Sequence, residues 1–365
     1  MEFSGSLGDL GLFIPLVAAM TVACDLNIGA VLILAGVMNV VTGLMFRQPI
    51  PVQPMKAIAA VVITESLLPF EMVAAGIIMG VLLIILSGYI DRINETIPKA
   101  VVRGIQMGVG LKLVLKGISW VRALPLLGWD SVVFALVVAV VLWFLLSRNI
   151  PALLYVFIAG FIVLYFKQPE AYASVTFGWP VFSFDWPRPS EWVNGFYKGA
   201  LAQLPVTVLN SVIAVCALSA QYFPNEKISP KRMALSVGLM NIFCVPLGGI
   251  PMCHGAGGLA AQYRFGARTG GSVIMLGFLK IVAGLLFGAA LIVLLQNYPM
   301  AILGPMLIFA GVELAKSARD VLVETKGLVI VIVSAAAILG VNTAVGFLAG
   351  SLTAFIFYLN ERKLK

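Results

Sequence analysis

Apolar residues fill the chain in long runs that are interrupted at glycine, proline and charged residues. A helix that crosses a membrane needs about 20 predominantly apolar residues, with a range of roughly 17 to 25. With breaks placed at the interruptions, the pattern predicts fourteen membrane segments and therefore an all-α, multi-pass integral membrane protein. The predicted segments begin near Gly8, Ile28, Pro54, Glu71, Pro98, Asp130, Pro151, Gly195, Arg232, His254, Gly271, Pro299, Thr325 and Asn342.

The amino-acid composition indicates that lipid is the solvent for most of the chain. Of the 365 residues, 61% are hydrophobic and 11% are charged, and the mean hydropathy is +1.04. Soluble domains are roughly 45–50% apolar and about 25% charged. The formal net charge is +8, but the 24 lysines and arginines are spread along the whole chain rather than gathered on one basic face. The basic excess therefore indicates membrane topology, and we expect no nucleic-acid partner.

The distribution of basic residues between the predicted loops indicates an orientation. Fifteen lysines and arginines fall on the side of the N-terminus, four fall on the opposite side, and five lie within or beside the segments. Cytoplasmic loops of membrane proteins carry an excess of basic residues. We therefore expect both termini to be cytoplasmic and the protein to lie in the cell (inner) membrane.

Histidine and cysteine are scarce in this sequence. His254 is the single histidine, and the four cysteines lie in or beside apolar runs without a CxxC pair. We therefore expect no disulfide, no metal site and no cofactor. An intramembrane enzyme is also disfavoured, because the sequence has no HExxH or GxSxG motif and no cluster of carboxylates.

The two halves of the chain resemble each other at an offset near 200 residues. The alignment of residues 6–20 with residues 200–214 places Asp9 opposite Gln203. Seven segments per half make the second half enter the membrane from the opposite side, which predicts an inverted repeat of the kind that recurs in transporters. The predicted units are a first repeat over residues 1–166, a connecting loop over 167–194 and a second repeat over 195–365. The further matches, in the same order, are Gly36–Asn39 with Gly238–Asn241, Ile50–Pro51 with Ile250–Pro251, and Pro98–Ala100 with Pro299–Ala301.

The third and tenth segments are too short to cross a membrane as helices. Residues 48–54 read QPIPVQP, and proline both lacks an N–H group and favours extended geometry in the residue before it. We expect a helix from Pro54 to about Ser66, which at about 1.5 Å per residue spans only part of a hydrocarbon core of about 30 Å. The second half repeats this arrangement, with an extended GGIP stretch and a short helix from about His254. Irregular backbone at this depth is tolerated where it lines a cavity.

The starts of these two half-helices predict a site for an anion. Each helix N-terminus offers free N–H groups and a partial charge of about +0.5, and Lys56 adds a full charge in the first turn of one of them. Glycines after His254 let a ligand approach the backbone closely. Together these features suit a small divalent oxyanion. The candidate binding residues are Gln53, Pro54, Met55, Lys56, Cys253, His254, Gly255, Ala256 and Gly257, with Asp9 and Gln203 approaching from the first and eighth segments.

Several of these residues have an alternative interpretation. Lys56 could instead snorkel or pair with an acid such as Glu65, His254 could be an ordinary buried histidine, and Asp9 could be an interfacial cap. Asn39 and Asn241 are interpreted as residues that fix helix packing.

The same motifs carry a resemblance to a known family. Residues 50–60 read IPVQPMKAIAA, residues 251–271 read PMCHGAGGLAAQYRFGARTGG, and LGDLGLFIP lies near the N-terminus. With these motifs the chain resembles the molybdate transporter family, which is related to the sulfate permeases. The resemblance implies a seven-plus-seven inverted repeat in which the third and tenth segments hold the substrate between a core and a gate domain. It also implies homodimers, which are common in that fold, and we expect no STAS domain because the sequence ends shortly after its last segment.

The sequence therefore predicts a secondary active transporter that imports molybdate by alternating access. Proton entry is expected to accompany the anion, with Asp9 or His254 as the carrier, because a dianion enters against a negative-inside potential. The alternatives are a transporter for sulfate or another tetrahedral oxyanion and, with less support, an anion channel.

Overall fold

The computed structural model describes residues 2–90, 92, 97–148, 151–173, 175, 178–180, 182, 184 and 186–363. These residues are mostly helical and include one two-stranded sheet. The helices are α1 Glu2–Leu7, α2 Leu10–Cys24, α3 Ile28–Phe46, α4 Lys56–Glu65, α5 Pro69–Leu86, α6 Lys99–Arg122, α7 Val132–Ser147, α8 Ala152–Lys167, α9 Glu170–Ala173, α10 Pro189–Tyr222, α11 Pro230–Cys244, α12 Ala256–Arg264, α13 Gly271–Gln296, α14 Met300–Lys316, α15 Thr325–Gly340 and α16 Thr343–Lys363. The strands are β1 Val52–Pro54 and β2 Met252–His254. Parts of the predicted connecting loop over 167–194 lie outside the described residues.

The helix starts agree with the predicted segment starts to within two residues, with one exception. The eighth segment was expected near Gly195, whereas α10 begins at Pro189. The earlier start has a local cause, because proline suits the first turn of a helix and the Glu191 carboxylate accepts a hydrogen bond from the Arg188 N–H at 2.6 Å.

Six helices in the described part of the chain are long and apolar enough to cross a membrane, by length and composition. They cover Ile28–Phe46, Pro69–Tyr89, Pro189–Tyr222, Gly271–Gly288, Met300–Asp320 and Thr343–Glu361. Shorter apolar helices cover Phe13–Cys24, Val132–Ser147, Ala152–Lys167 and Thr325–Gly340. The chain is thus a mostly helical membrane protein.

Glycine pairs set the closest helix–helix contacts. Helix α3 packs on α13 where Gly36 meets Gly277, and a Cβ added to Gly36 would lie 2.6 Å from the Gly277 carbonyl oxygen. Helix α5 packs on α11 in the same way, with a Cβ on Gly80 lying 2.9 Å from the Gly238 carbonyl oxygen. Small residues allow backbones to approach closely in helix pairs within membranes. Since Gly36 and Gly238 are matched in the aligned halves, the two contacts are equivalent.

The helices form two packed groups. In the first, α3 packs on α13, and α5 packs on α10 and α11; in the second, α14, α15 and α16 pack on α6, and α7 packs on α14. Helices α2 and α4 contact members of both groups. Of the candidate site residues, Gln203 lies on α10 of the first group, Lys56 on the bridging helix α4 and Asp9 just before α2; the others lie on β1, on β2 and at the starts of α4 and α12.

A charged cluster joins the C-terminal end of α4 to the second group. The Glu65 Oε1 atom accepts hydrogen bonds from Lys112 Nζ at 2.7 Å and from the Thr343 N–H and hydroxyl at 3.1 and 2.6 Å. Both charged side chains are largely buried, with exposed fractions of 11% for Glu65 and 13% for Lys112. Because Thr343 is the first residue of α16, the carboxylate also lies at a helix N-terminus, where negative charge is favoured.

Asp130 caps a helix that is distant from it in sequence. Its Oδ1 atom accepts a hydrogen bond from the Ala301 N–H at 2.7 Å, at the start of α14, and its Oδ2 atom pairs with Lys167 Nζ at 2.6 Å. Loss of a helix cap costs about 0.5–2 kcal/mol. We expect Asp130→Ala to lower the free energy of unfolding by about 1–2 kcal/mol, measured by thermal denaturation in detergent. Asp130→Asn keeps an acceptor and should lose less; equal losses for the two variants would contradict the cap.

Candidate functional site

Two short extended segments lie side by side and lead into two short helices. Strands β1 and β2 pair antiparallel, with Gln53 opposite Cys253, and the Met55 N–H donates to the Pro251 carbonyl at 2.9 Å. Helices α4 and α12 begin two residues after the expected starts near Pro54 and His254, since both of these residues lie in the strands. The cause is this pairing, which keeps the backbone extended up to the residue before each helix. Helix α4 accordingly has ten residues and α12 has nine.

Two equivalent asparagines hold the strands in place. Asn39 Oδ1 accepts the Val52 N–H at 2.8 Å, and Asn241 Oδ1 accepts the Met252 N–H at 2.8 Å. Both asparagines are fully buried. The interpretation of Asn39 and Asn241 as helix-packing residues is therefore corrected: their amides fix the strand that follows in each half.

The start of α4 is capped by Gln203. Its Oε1 atom accepts hydrogen bonds from the N–H groups of Ala57 and Ile58 at 2.9 and 3.2 Å, and its Nε2 atom donates to the Thr207 hydroxyl at 2.8 Å. Gln203 lies on α10 between two wide π-type turns, Gly195–Ala200 and Thr207–Ile213, a local geometry that often marks functional positions. The expectation that α4 offers free N–H groups is therefore wrong at Ala57 and Ile58.

The start of α12 is open. Among the described residues, none accepts a hydrogen bond from the N–H groups of Ala256, Gly257 or Gly258. Gly257 is exposed, although the residues from Pro251 to Gly255 before it are buried. A Cβ at Gly255 would collide with the Gln53 side chain, so a larger residue there would displace Gln53. A helix N-terminus with free and accessible N–H groups is suited to binding an anion.

Lys56 is the first residue of α4 and is partly exposed. In the part of the chain that the structure describes, its ammonium group has no hydrogen-bond or ion-pair partner. The alternative pairing with Glu65 is wrong, because Glu65 pairs with Lys112. Lys56 lies within electrostatic range of Asp9 and Cys253, so its charge acts on the space around the strands. An unpaired cation in this position is available to a ligand of negative charge.

Asp9 is fully buried and lies in the same region as Lys56, around the two strands. It accepts a hydrogen bond from Gln53 Nε2, and its Oδ1 atom lies beside Gly258 in the first turn of α12. The alternative of an interfacial cap is wrong, because Asp9 makes no side-chain hydrogen bond to the start of α2. Its second oxygen, Oδ2, lies 3.9 Å from the Nζ atom of Lys280.

His254 has partners for both ring nitrogens. Nδ1 lies 3.3 Å from the Pro51 carbonyl oxygen and Nε2 lies 3.0 Å from the Ser236 hydroxyl. Because a carbonyl only accepts, Nδ1 carries the proton of the neutral ring and Nε2 accepts from Ser236. The ring also packs edge-on against Phe46, and the whole side chain is buried. These contacts agree with the alternative of a buried, satisfied histidine next to the site.

All of the candidate residues come together around the two strands, and one further residue joins them. Lys280 lies in the middle of α13 and was counted only among the basic residues within segments, without a role. The signal that could have found it is simple: it is the one charged residue in a 26-residue apolar helix. Charged residues inside membrane helices usually face the protein interior and mark functional positions.

The fold is similar to that of two solved anion transporters. The transmembrane domain of the cyanobacterium bicarbonate transporter BicA matches with a TM-score of 0.68 at 16% identity, over 96% of this chain and 96% of that chain. The murine anion transporter Slc26a9 in the inward-facing state matches with a TM-score of 0.73 at 14% identity, over 99% of this chain and 68% of that one. The likeness to these two structures shows that the chain has a fold shared with anion transporters.

The chain belongs to the molybdate transporter family. A family profile described as "Molybdate transporter of MFS superfamily" matches residues 1–113 and 195–314. Molybdate transporter 1 of Arabidopsis thaliana is 38% identical over 99% of this chain and 88% of its own length. Molybdate transporter 1 of Chlamydomonas reinhardtii is 31% identical over 96% of this chain and 89% of its own length. The resemblance found in the sequence is thereby confirmed.

Proposed function

We propose that this protein imports molybdate across the cell (inner) membrane as a secondary active transporter that works by alternating access. The observation that carries the proposal is the open N-terminus of α12, with its exposed Gly257, together with the unpaired ammonium group of Lys56, whose charge acts on Asp9 beside that helix start. The named molybdate transporters among its relatives indicate which oxyanion this site takes.

The charge of the site matches a tetrahedral dianion. The helix N-terminus of α12 contributes about half a positive charge and Lys56 a full one. A neutral substrate would leave the Lys56 ammonium unpaired in a partly desolvated place, which is unfavourable. In this arrangement the N–H groups of Ala256, Gly257 and Gly258 donate to the oxyanion, and Lys56 neutralises it. Gln53, Pro54, Met55, Cys253, His254 and Gly255 shape the wall, while Gln203 caps the start of α4 and Asp9 lies beside the start of α12.

The architecture proposed for this mechanism is the inverted repeat. Residues 1–166 and 195–365 each supply seven of fourteen segments, with α4 and α12 as the half-helices and both termini cytoplasmic. The equivalent roles of Asn39 and Asn241, and of the Gly36 and Gly238 contacts, support this division. The first helix group serves as the core domain and the second as the gate, and the protein forms a homodimer.

Uptake of radiolabelled molybdate into proteoliposomes tests this function. We expect saturable uptake and counterflow, with tungstate and sulfate as competitors that rank the preference for the oxyanion. Stronger inhibition by sulfate than by unlabelled molybdate would favour the alternative of a sulfate transporter. Uptake that neither saturates nor shows counterflow would indicate a passive anion conductance instead.

Proton coupling is expected for energetic reasons. Moving each negative charge against a potential of 100 mV costs about 2.3 kcal/mol, and a proton that enters with the anion offsets part of this cost. We expect molybdate uptake to rise when the outside is acidic relative to the lumen, and the lumen to acidify during uptake. Asp9→Asn and His254→Gln test the two candidate proton carriers. The variant in which molybdate uptake no longer responds to the pH gradient has lost the carrier. If the pH gradient has no effect on uptake and the lumen does not acidify, coupling to protons is wrong.

A further inference from the structure

The Asp9 carboxylate poses a problem for an anion site. It lies beside Gly258, in the first turn of the helix whose free N–H groups would bind the oxyanion. A buried negative charge at that place repels a dianion, because like charges at short range interact strongly away from bulk water. Something must therefore neutralise Asp9 when the anion is bound.

Lys280 is placed to do this. Its side chain is buried, and its Nζ atom lies 3.9 Å from Asp9 Oδ2, 3.4 Å from the Val52 carbonyl oxygen and 3.6 Å from the centre of the Phe13 ring. The lysine thus contacts the carboxylate, strand β1 and an aromatic face at the same time. Within the described residues, the charged groups that act on Asp9 are Lys280 on α13 and Lys56 on α4. Of these two, Lys280 is the buried one.

The repeat offers a comparison with the positions equivalent to Asp9 and Lys280. Gly277 on α13 and Gly80 on α5 are equivalent, because they pack on the matched glycines Gly36 and Gly238. Three residues further on, α13 carries Lys280 whereas α5 carries Leu83, which is buried.

The residue equivalent to Asp9 is also uncharged. In the second half the aligned residue is Gln203, which is neutral and caps its short helix without needing a counter-charge. Each pair therefore joins the two halves: Asp9 of the first half with Lys280 of the second is charged, whereas Gln203 of the second half with Leu83 of the first, at the equivalent positions, is neutral. Where the acid is replaced by a neutral residue, the lysine is replaced as well.

We propose that Lys280 is a positioning residue that acts as the fixed counter-charge of Asp9 and so makes the start of α12 receptive to an oxyanion. This inference rests on the proposed function, since it assumes that an anion binds there. In this proposal the permanent partner of Asp9 is Lys280 and not a proton. Of the two candidate proton carriers, Asp9 and His254, it therefore favours His254.

Variants that convert the charged pair to the neutral one test the proposal. Lys280→Leu leaves an uncompensated carboxylate, so we expect the KM for molybdate to rise about tenfold or more with a smaller change in kcat. Lowering the pH should recover much of this loss, because protonation removes the uncompensated charge, and the acid dependence should be steeper than in the wild type. The double variant Asp9→Gln/Lys280→Leu should have a lower KM than Lys280→Leu alone and should lose that steep dependence.

A lysine outside the site serves as the matched control. Lys198 pairs with Glu71 and its side chain is 39% exposed, so Lys198→Leu should leave the KM unchanged. A double variant no better than Lys280→Leu, or a Lys280→Leu variant with the wild-type KM and pH profile, would overturn the proposal.

A measurement without substrate separates this proposal from the proposed function. The melting temperature in detergent should fall for Lys280→Leu and recover in the double variant, because removing one member of a buried ion pair is costlier than removing both. If the wild type transports neither molybdate, tungstate nor sulfate, the proposed function fails, while recovery in the double variant still shows that Lys280 neutralises Asp9. Absence of recovery overturns the pairing itself.

Discussion

Replacing Lys56 with alanine is expected to abolish molybdate uptake while the protein remains folded in the membrane. Lys56 makes no ion pair or hydrogen bond among the described residues, so its removal breaks no such bond that supports the fold. The bound dianion, in contrast, loses its full positive partner. Loss of one member of a desolvated charge pair costs about 2–5 kcal/mol, which corresponds to a fall in affinity of about 30-fold or more. Uptake by proteoliposomes and binding of molybdate to the purified protein measure the effect.

Two further variants make the result specific. Lys56→Arg keeps the charge and should retain part of the uptake, although the larger head group changes the geometry of the contact. Lys316→Ala removes an exposed lysine that is paired only with Glu313 on the same helix and should behave as the wild type. Near-normal transport by Lys56→Ala would contradict the anion site, provided that the variant reaches the membrane in normal amounts.

The second large effect is expected at the cluster that joins α4 to the second helix group. Lys112→Ala leaves the Glu65 carboxylate largely buried with only Thr343 as its partner. Breaking such a pair is strongly destabilising, and we expect the free energy of unfolding to fall by about 3 kcal/mol. Thermal denaturation in detergent measures this loss. We also expect slower uptake, because the cluster holds a helix of the site against the other group.

A charge-free pair provides the matched control for this cluster. In Glu65→Gln/Lys112→Met the amide oxygen can still accept from Thr343, and no buried charge remains. Its stability should therefore exceed that of Lys112→Ala. If both variants lose the same stability, the ion pair is not what holds the two groups together.

The elements around the site could be predicted because proline and glycine interrupt helices and are easy to recognise within apolar runs. The prolines at 49, 51 and 54 exclude a helix there, and the matched Ile250–Pro251 step predicts the same break in the second half. The exact helix starts could not be predicted, because pairing between β1 and β2 is a contact between residues about 200 positions apart. Local rules place proline at the first turn of a helix, and here the strand pairing prevails over them.

Side-chain partners were harder to predict than positions. The repeat placed Asp9 opposite Gln203, but it did not show that Gln203 caps α4 while Asp9 contacts Gln53. Lys280 went without a role because its importance depends on the packing of α13 against α3 and on its distance to Asp9, neither of which a local pattern contains. The repeat places His254 among the candidate site residues, whereas in the structure its ring nitrogens contact Ser236 and Pro51.

The two-stranded ladder has a mechanical consequence. Backbone hydrogen bonds between β1 and β2, together with the bond from Met55 to Pro251, tie the start of α4 to the start of α12. The two walls of the site cannot part to release a ligand without breaking these bonds. In the proposed alternating-access mechanism, β1 and β2 therefore stay together as one unit, and the surrounding helices change which side of them is open to water. In that mechanism the surrounding helices, and not a change in the shape of the site, determine on which side the substrate is released.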